Sequence, residues 1–548
     1  MQRQLGGAEV RSGAKALAES LEKAGAEVVF GYPGGNVIDI FDCVRTAKFR
    51  FVLGRHEQGC VHMADGYARA LGRPGVVLVT SGPGLTNTIT GLGAANMDGV
   101  PLVLICGQVP LDEMGTDAFQ EADTTGLTRA VSKHGFLVKS ADEIPETIAQ
   151  AFHIATSGKP GVVVIDIPRD CQEAMTSAQY PARVSLRAYH PERFATTAQV
   201  NRLAKLVNSA KRPVIYAGGG VIAADASADV TALAHKAGIP VVTTLTGMGA
   251  IDSGDPLSLG MAGIHGEPAA RRALADADLI VALGVRFNDR TTATLPRRQW
   301  PRIVHVDCDA SAIGRNVQAG FGIVADVKDL LATVDSRIRP AARETWTVRC
   351  RPTEKEISES SKAVRSRPGY VAPKAVVDAF CREAGESLVA VTDVGQHQLW
   401  AARYLCHVRP RSFISSGGMG AMGFGIPAAI GAAIARPDGK VVAFVGDGGA
   451  QMTAEELIVA AELGLPVVFV VFANGTLGLV RQMQKTGFGS RYFATDLSSP
   501  DFVKLAAAYG VKGVRVDDPA RLYAAVARAV RAKGPVLLEV RTDPEAMA

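Results

Sequence analysis

Asp447 is the residue around which chemistry is most readily built. It lies in Gly446-Asp447-Gly448, directly after an apolar run, Val441–Val445, that reads as a strand. The two glycines allow backbone to approach a diphosphate, and the carboxylate supplies a hard oxygen ligand for Mg²⁺. A helical pattern then leads to a second strand candidate, Val467–Phe472, which ends at Asn474-Gly475-Thr476. One strand, one helix and one strand return the chain to the same end of a parallel sheet, so Asn474 should come back beside Asp447. One carboxylate, one amide oxygen and one loop carbonyl suit an octahedral Mg²⁺ that keeps diphosphate oxygens and water as its other ligands. Thr453 and Glu456 have the spacing of a capping box and predict where the intervening helix begins. A Gly-Asp-Gly turn alone is no more than a turn; the placement of Asn474 behind a strand is what makes it a metal motif.

A second carboxylate, Glu57, stands in Arg55-His56-Glu57-Gln58-Gly59, where a strand candidate gives way to a helix over Glu57–Leu71. His56-Glu57 with His62 is not a zinc-protease motif, because that motif needs its second histidine three residues after the glutamate. Here His62 comes five after it. A lone glutamate at a helix N-terminus usually compensates the helix dipole.

These residues need rigid elements to hold them. Apolar runs of four to seven residues alternate with amphipathic stretches: strand candidates at Val76–Thr80, Leu102–Cys106, Val162–Ile167, Val214–Tyr216, Leu279–Leu283 and Ile303–Val306, with helices at Gly13–Ala24 and Thr197–Ala210 among them. Such alternation reads as parallel α/β sheets with ligands at the carboxyl ends of the strands. At 548 residues the chain is long enough for three domains. Polar stretches at Cys171–Glu192 and Arg339–Pro373 read as linkers between them, with domains over residues 1–180, 195–340 and 370–548. The first and third domains share a pattern, each with a glycine-rich turn after an early strand.

Composition excludes several function classes. Apolar residues make up 47% and charged residues 21%, which is globular rather than disordered usage. The net charge of +5, from 59 basic and 54 acidic residues, has no basic stripe or tail behind it, so a nucleic-acid partner is not expected. Eight cysteines lie at least 17 positions apart with no CxxC pair, a reduced cytoplasmic pattern. Met1–Gly7 has no signal-peptide core. The uncharged stretch 417–435 carries glycines and Pro427 that suit a close-packed site helix rather than a lipid-facing one, so no membrane association is expected.

The Gly-Asp-Gly…Asn arrangement resembles the signature of thiamine diphosphate enzymes. Further motifs resemble one family among them, the acetohydroxyacid (acetolactate) synthase catalytic subunits: Phe30-Gly31-Tyr32-Pro33-Gly34-Gly35, Arg55–Gly59, Thr80-Ser81-Gly82-Pro83-Gly84, Gly115–Glu121, Val394-Gly395-Gln396-His397-Gln398 and Met422–Ala429. The resemblance spans roughly residues 10 to 540 in the same order. It implies three parallel-sheet α/β domains, the outer two of the thiamine diphosphate-binding type and the central one a Rossmann-like flavin-binding domain. Glu57 would act on the cofactor's aminopyrimidine, a task that suits a partly buried carboxyl. Gln120 would lie near the reacting atoms, and Met422 would prop the cofactor in its bent form. Pro33, Gly34, Gln396, His397, Gly446, Gly448 and Gly449 would line the cofactor; Asp447, Asn474 and Thr476 would hold Mg²⁺. FAD would meet Gly218, Gly219, Thr244, Leu245, His265, Gly284, Arg286, Asp307 and Asp326, a weaker match because Asn288 and Ala312 stand where the family carries acids.

The implied reaction is decarboxylation of pyruvate and carboligation to a second 2-oxo acid, giving 2-acetolactate or a related 2-acetohydroxy acid. Arg290 would bind the second substrate's carboxylate through its planar fork; the plainer reading is a surface ion pair with Asp289. Met483 stands where the family carries a tryptophan that favours 2-oxobutanoate, and Leu479 and Ile264 replace methionines. The acceptor therefore stays open, and a related lyase, acetyltransferase or 2-oxo acid decarboxylase is the alternative. A flavin-dependent oxidase and a non-enzymatic paralogue have less support. In the resembling family Glu57 and Asp447 meet across a subunit boundary, so a homodimer or homotetramer is expected, with a small regulatory subunit as a further partner.

Overall fold

A computed structural model describes residues 10–362, 367–406 and 408–548, so the signal-peptide reading of Met1–Gly7 lies outside the described residues. Three six-stranded sheets carry the architecture, and every strand pair within them is parallel. The first contains β1 (Val28–Tyr32), β2 (Arg50–Leu53), β3 (Gly75–Val79), β4 (Leu102–Gln108), β5 (His134–Leu137) and β6 (Val162–Pro168). The second contains β7 (Pro213–Ala217), β8 (Val241–Thr243), β9 (Ser258–Met261), β10 (Leu279–Leu283), β11 (Ile303–Asp307) and β12 (Phe321–Val324). The third contains β13 (Leu388–Thr392), β14 (Phe413–Ser415), β15 (Lys440–Gly446), β16 (Val468–Ala473), β17 (Lys512–Val516) and β18 (Val536–Arg541). Central strands such as β3, β4, β6 and β10 are buried along their whole length. Their unbroken Val/Ile/Leu character follows from having helices on both faces.

The order of strands decides where ligands can sit. The first sheet runs β2-β1-β3-β4-β6-β5 and the third runs β14-β13-β15-β16-β18-β17, the same order with twelve added to each number. The shared pattern of the outer domains is thus a shared topology. The second sheet runs β9-β8-β7-β10-β11-β12, the doubly wound order 3-2-1-4-5-6. The second order reverses at one point, between β7 and β10, and the first and third share a reversal between β1 and β3 and between β13 and β15; ligands of open α/β sheets bind beyond the strand ends at such points.

By contact the chain forms two compact units, one holding the first sheet with residues 418–421 and 430–435, the other holding the second and third sheets. In the first unit, a Cβ on Gly431 would lie 1.8 Å from the Met63 carbonyl oxygen, so glycine is what lets the helix Gly425–Ala435 press against Glu57–Leu71 at that point. Among the described residues no helix is long and apolar enough to cross a membrane.

Three expectations need correction. The helix after Gly446 begins at Asp447 itself and ends at Met452, with Thr453 following it at φ −143°. The Thr453 hydroxyl donates to the Gly423 carbonyl at 2.9 Å and so is committed elsewhere; no capping box forms with Glu456. The same Thr-x-x-Glu spacing does form a box at Thr353 and Glu356, where each side chain accepts the other's backbone N–H, at 3.3 and 2.7 Å. That box lies in the second correction, since Arg339–Pro373 is more than a linker. It includes helices Glu344–Cys350 and Glu354–Lys362, and Trp346 is buried in the second sheet's core with its indole N–H on the Pro213 carbonyl at 2.9 Å. Within Cys171–Glu192, Cys171 is core and Met175–Thr176 pairs antiparallel with Arg11–Ser12; no regular element follows until the helix Thr197–Ser209.

Candidate active site

The third sheet presents its chemistry at the ends of β13, β15 and β16. Gly446 is extended at φ −102°, ψ 170°, which turns the chain from strand directly into helix and buries Asp447 in the first helical position. The Asp447 carboxylate accepts the backbone N–H groups of Asn474 (3.1 Å) and Gly475 (2.6 Å) and, at 3.3 Å, the Ser499 hydroxyl. Burial raises its pKa above the ordinary carboxylate value, and these hydrogen bonds oppose the rise. The Asn474 side-chain oxygen accepts both the N–H and the hydroxyl of Thr476 at 3.1 Å. Asp447, Asn474 and Thr476 therefore share one turn-to-turn contact. Among the described residues no group of three or more His, Cys, Asp or Glu side chains converges as a metal cage.

Beside this turn, Gly395 has φ +152° and leads into the helix Gln396–Tyr404. A Cβ on Gly395 or on Gly446 would come within 2.7 or 2.9 Å of the His397 ring, so both glycines are needed for the imidazole to lie between two backbones. The ring stacks at 19° on Phe472, and burial pushes its pKa down to about 3, keeping it neutral. His397 Nε2 and Gln396 Oε1 are buried with no hydrogen-bond partner. Buried polar atoms are rarely left so, and two of them beside bare glycine backbone fit a polar ligand. Met422 is close by: its Cε lies 3.1 Å from where a Cβ on Gly448 would stand. Gly449 adjoins the same turn. Met483 lies on the next helix, Gly478–Gly487, and is 41% exposed.

The first sheet gathers its residues at the ends of β1, β3 and β4. Pro33-Gly34 follow β1, and a Cβ on Gly34 would be 2.4 Å from the Thr80 side chain after β3. Asn36 closes this crevice, its backbone N–H on Thr80 Oγ1 at 3.3 Å and its amide on Ser81 Oγ at 2.6 Å. Glu57 is half-buried as the first residue of its helix, and its Oε2 accepts the Asn87 amide at 2.9 Å. Gly82 (φ +57°) and Gln120 (φ +64°) are both left-handed, and a Cβ on Gly82 would meet the Gln120 carbonyl at 2.8 Å. Left-handed backbone at a glutamine is uncommon and costly, and it clusters at sites where surrounding structure imposes it.

In the second sheet, Gly218 and Gly284 meet at the reversal between β7 and β10, where a Cβ on Gly218 would be 2.0 Å from the Gly284 carbonyl oxygen. Gly219 lies against Thr246, and Thr244 accepts the Gly247 N–H at 3.1 Å in the turn that begins at Leu245. Asp307 is buried and accepts the Asp309 N–H; Asp326 caps the helix Val327–Val334 through the N–H groups of Lys328 and Asp329. Both acids thus serve backbone groups of their own loops. Arg286 lies beyond β10, its carbonyl accepting the Asn316 amide at 3.2 Å. The Arg290 carbonyl accepts the Ile264 N–H at 3.0 Å, and His265 is pushed toward neutrality by burial and by the Arg290 charge. The Arg290 side chain is more than half exposed and lies 3.5 Å from Asp289, the surface pair that was the plainer of its two readings.

Known proteins match this chain along most of its length. Family models for the N-terminal, central and C-terminal domains of thiamine pyrophosphate enzymes match residues 11–127, 200–334 and 393–540. The acetolactate synthase of Mycobacterium bovis is 44% identical over 519 residues, covering 92% of this chain and 84% of its own. A probable acetolactate synthase large subunit of Methanocaldococcus jannaschii is 41% identical, covering 97% and 92%. The mitochondrial acetolactate synthase catalytic subunit of Saccharomyces cerevisiae is 40% identical, covering 97% and 81%. The chain belongs to the acetolactate synthase family.

Three features of this family member escape a reading by motif. Asn87 holds the Glu57 carboxylate from 30 positions away. Gln108, at the end of β4, donates to the Ala122 carbonyl (2.9 Å) and to Asp166 (3.1 Å), and so ties the loop carrying Gln120 to β6. Asp393, at the end of β13, is fully buried and accepts three backbone N–H groups. Asp393 alone left a trace in the sequence, as an acid ending an apolar run just before the Gly395-Gln396-His397 motif.

Proposed function

We propose that this chain catalyses the thiamine diphosphate- and Mg²⁺-dependent decarboxylation of pyruvate and joins the resulting two-carbon unit to a second 2-oxo acid, giving 2-acetolactate or a related 2-acetohydroxy acid. The observation that carries this reading is the buried Asp447 carboxylate held against Asn474, next to the partnerless Gln396 and His397 atoms, in a chain of this family. Thiamine diphosphate, when bound, supplies the electron sink for decarboxylation. Asp447, Asn474 and the Thr476 carbonyl would hold Mg²⁺ against the diphosphate, with Gln396, His397, Gly446, Gly448 and Gly449 around it. Pro33 and Gly34 would border the aminopyrimidine, and Glu57, oriented by Asn87, would hold and return its proton. Met422 would support the ring system, Gln120 would face the reacting atoms, and Arg290 would leave Asp289 to bind the acceptor's carboxylate.

FAD is proposed for the central domain. The 3-2-1-4-5-6 strand order, with Gly218 and Gly284 at its reversal, supports it, while Asn288, Ala312 and the engagement of Asp307 and Asp326 with backbone weaken it. A cytoplasmic homodimer or homotetramer, able to take a regulatory subunit, completes the proposal. Product analysis with pyruvate, thiamine diphosphate and Mg²⁺, with and without FAD, tests it beside a Glu57→Gln control. Acetolactate that disappears in the control supports the synthase. Acetaldehyde and CO₂ alone would make the chain a decarboxylase, and no product with bound cofactor would mean a different donor.

A further inference from the structure

Two separate stretches build the diphosphate side of the third domain. One is the turn after β13, with Val394 to His397; the other is the glycine-rich segment with Met422, Gly423 and Gly425. The first runs into the helix Gln396–Tyr404 and the second into the helix Gly425–Ala435, two separate elements. The group between them is the Asp393 side chain. Its Oδ1 accepts the N–H of Val394 at 2.7 Å and that of Gly423 at 3.1 Å, and its Oδ2 accepts the N–H of Gly425 at 2.9 Å. The Asp393 N–H in turn donates to the Phe444 carbonyl of β15 at 2.9 Å, so the residue is anchored to the sheet.

The surroundings are shaped for this carboxylate. A Cβ on Gly425 would come within 2.9 Å of Asp393 Cβ and N, and one on Gly449 would stand 2.6 Å from Asp393 Cγ and Oδ1. Glycine at 449 therefore leaves the carboxylate the space it occupies. Three N–H donors give one buried acceptor close to full satisfaction, and hydrogen bonds to an ionised acceptor are about twice as strong as neutral ones. Burial nevertheless pushes its pKa up to about 6, a cost that no ion pair offsets among the contacts described for it. A buried charge kept at such a cost, at the one point where both stretches and β15 meet, holds geometry.

We propose that Asp393 is a positioning residue for the cofactor: its carboxylate locks the Gln396–His397 turn to the Met422 segment, so that the diphosphate site and the prop beneath the ring system are set before the cofactor arrives. This rests on the thiamine diphosphate reading above. Preorganisation of this kind acts on affinity, because ordering the two stretches no longer has to accompany binding. Asparagine at 393 keeps the shape but turns an amide N–H₂ toward at least one of the three donors. Alanine at 449 leaves Asp393 in place and pushes its carboxylate off its donors.

The test measures thiamine diphosphate affinity in the presence of Mg²⁺, by calorimetry on the full-length protein, for wild type, Asp393→Asn and Gly449→Ala. The urea midpoint of each cofactor-free protein is recorded alongside. The expected result is a dissociation constant raised at least tenfold in both variants, beyond any change in the urea midpoint. A lowered midpoint with an unchanged dissociation constant in the two variants would overturn the proposal and make Asp393 a purely structural residue. Should Asp393→Asn fail to fold, Asp393→Ser, which removes the two-oxygen acceptor without adding bulk beside the diphosphate, decides in its place. A wild-type protein that binds no thiamine diphosphate would instead overturn the cofactor reading on which the proposal stands.

Discussion

The Asp447 carboxylate accepts the Asn474 backbone N–H at 3.1 Å, across 27 positions of sequence. The contact exists because β15 and β16 are parallel neighbours, so that the residues just beyond their ends are brought side by side. It leaves the carboxylate fixed in direction before any cation is present. Replacing Asp447 by asparagine keeps the shape and removes the charge, so the effect should fall on the cation. The expected outcome for Asp447→Asn is a loss of Mg²⁺-dependent cofactor affinity of about a hundredfold or more, with the cofactor-free fold intact. Titration of thiamine diphosphate at several Mg²⁺ concentrations checks it, and an unchanged Mg²⁺ dependence would remove Asp447 from the ligand set.

Much of this architecture was legible from residue patterning, and its failures share one cause. The parallel strands were readable because burial on both faces leaves continuous apolar runs, and the helix Glu57–Leu71 was readable because its first turn and its left-handed Gly72 stop are local signals. Thr453 and Thr353 show the limit. Both stand three residues before a glutamate, yet only Thr353 forms the box, since a carbonyl 30 positions away at Gly423 takes the Thr453 hydroxyl. Asp393 escapes a motif reading for the same reason: two of its three donors belong to the glycine-rich segment near 424. Trp346 sits in charged, proline-bearing sequence that resembles a linker, and only the distant Pro213 carbonyl reveals it as core. Local pattern reports what a residue can do, and tertiary partners decide which option is taken.

Asp166 should make stability depend on pH. It is 2% exposed at the end of β6, with one oxygen on Gln108 and the other without a partner. Burial pushes its pKa from the ordinary 3.8 up to about 7, against the opposing hydrogen bonds from Thr124 and Gln108. Between these values the folded state binds more protons than the unfolded chain, so unfolding free energy falls as pH rises. The contribution is complete below pH 4 and lost once pH passes 7, up to roughly 4 kcal/mol in all. Asp166→Asn should flatten this slope and be the more stable protein at pH 8. Urea midpoints of both proteins at pH 5 and pH 8 check the prediction, and parallel slopes would refute it.

Met483 should govern which acceptor is used. It shares a face of the helix Gly478–Gly487 with Leu479, four residues earlier, and is 41% exposed. A thioether with three rotatable bonds offers little fixed surface, so it discriminates weakly between acceptors that differ by one methylene. An indole at the same position is rigid and presents a larger apolar wall. One methylene in an apolar pocket is worth about 10- to 200-fold in selectivity when the wall is well formed. Met483→Trp should therefore raise the preference for 2-oxobutanoate over pyruvate about tenfold, read as the product ratio when the two compete at equal concentration. A fall in total turnover at constant ratio would show that the substitution disturbs the helix and leaves the acceptor pocket unchanged. A shift in ratio with turnover retained would assign Met483 to that pocket, and Leu479 would be the next residue to exchange.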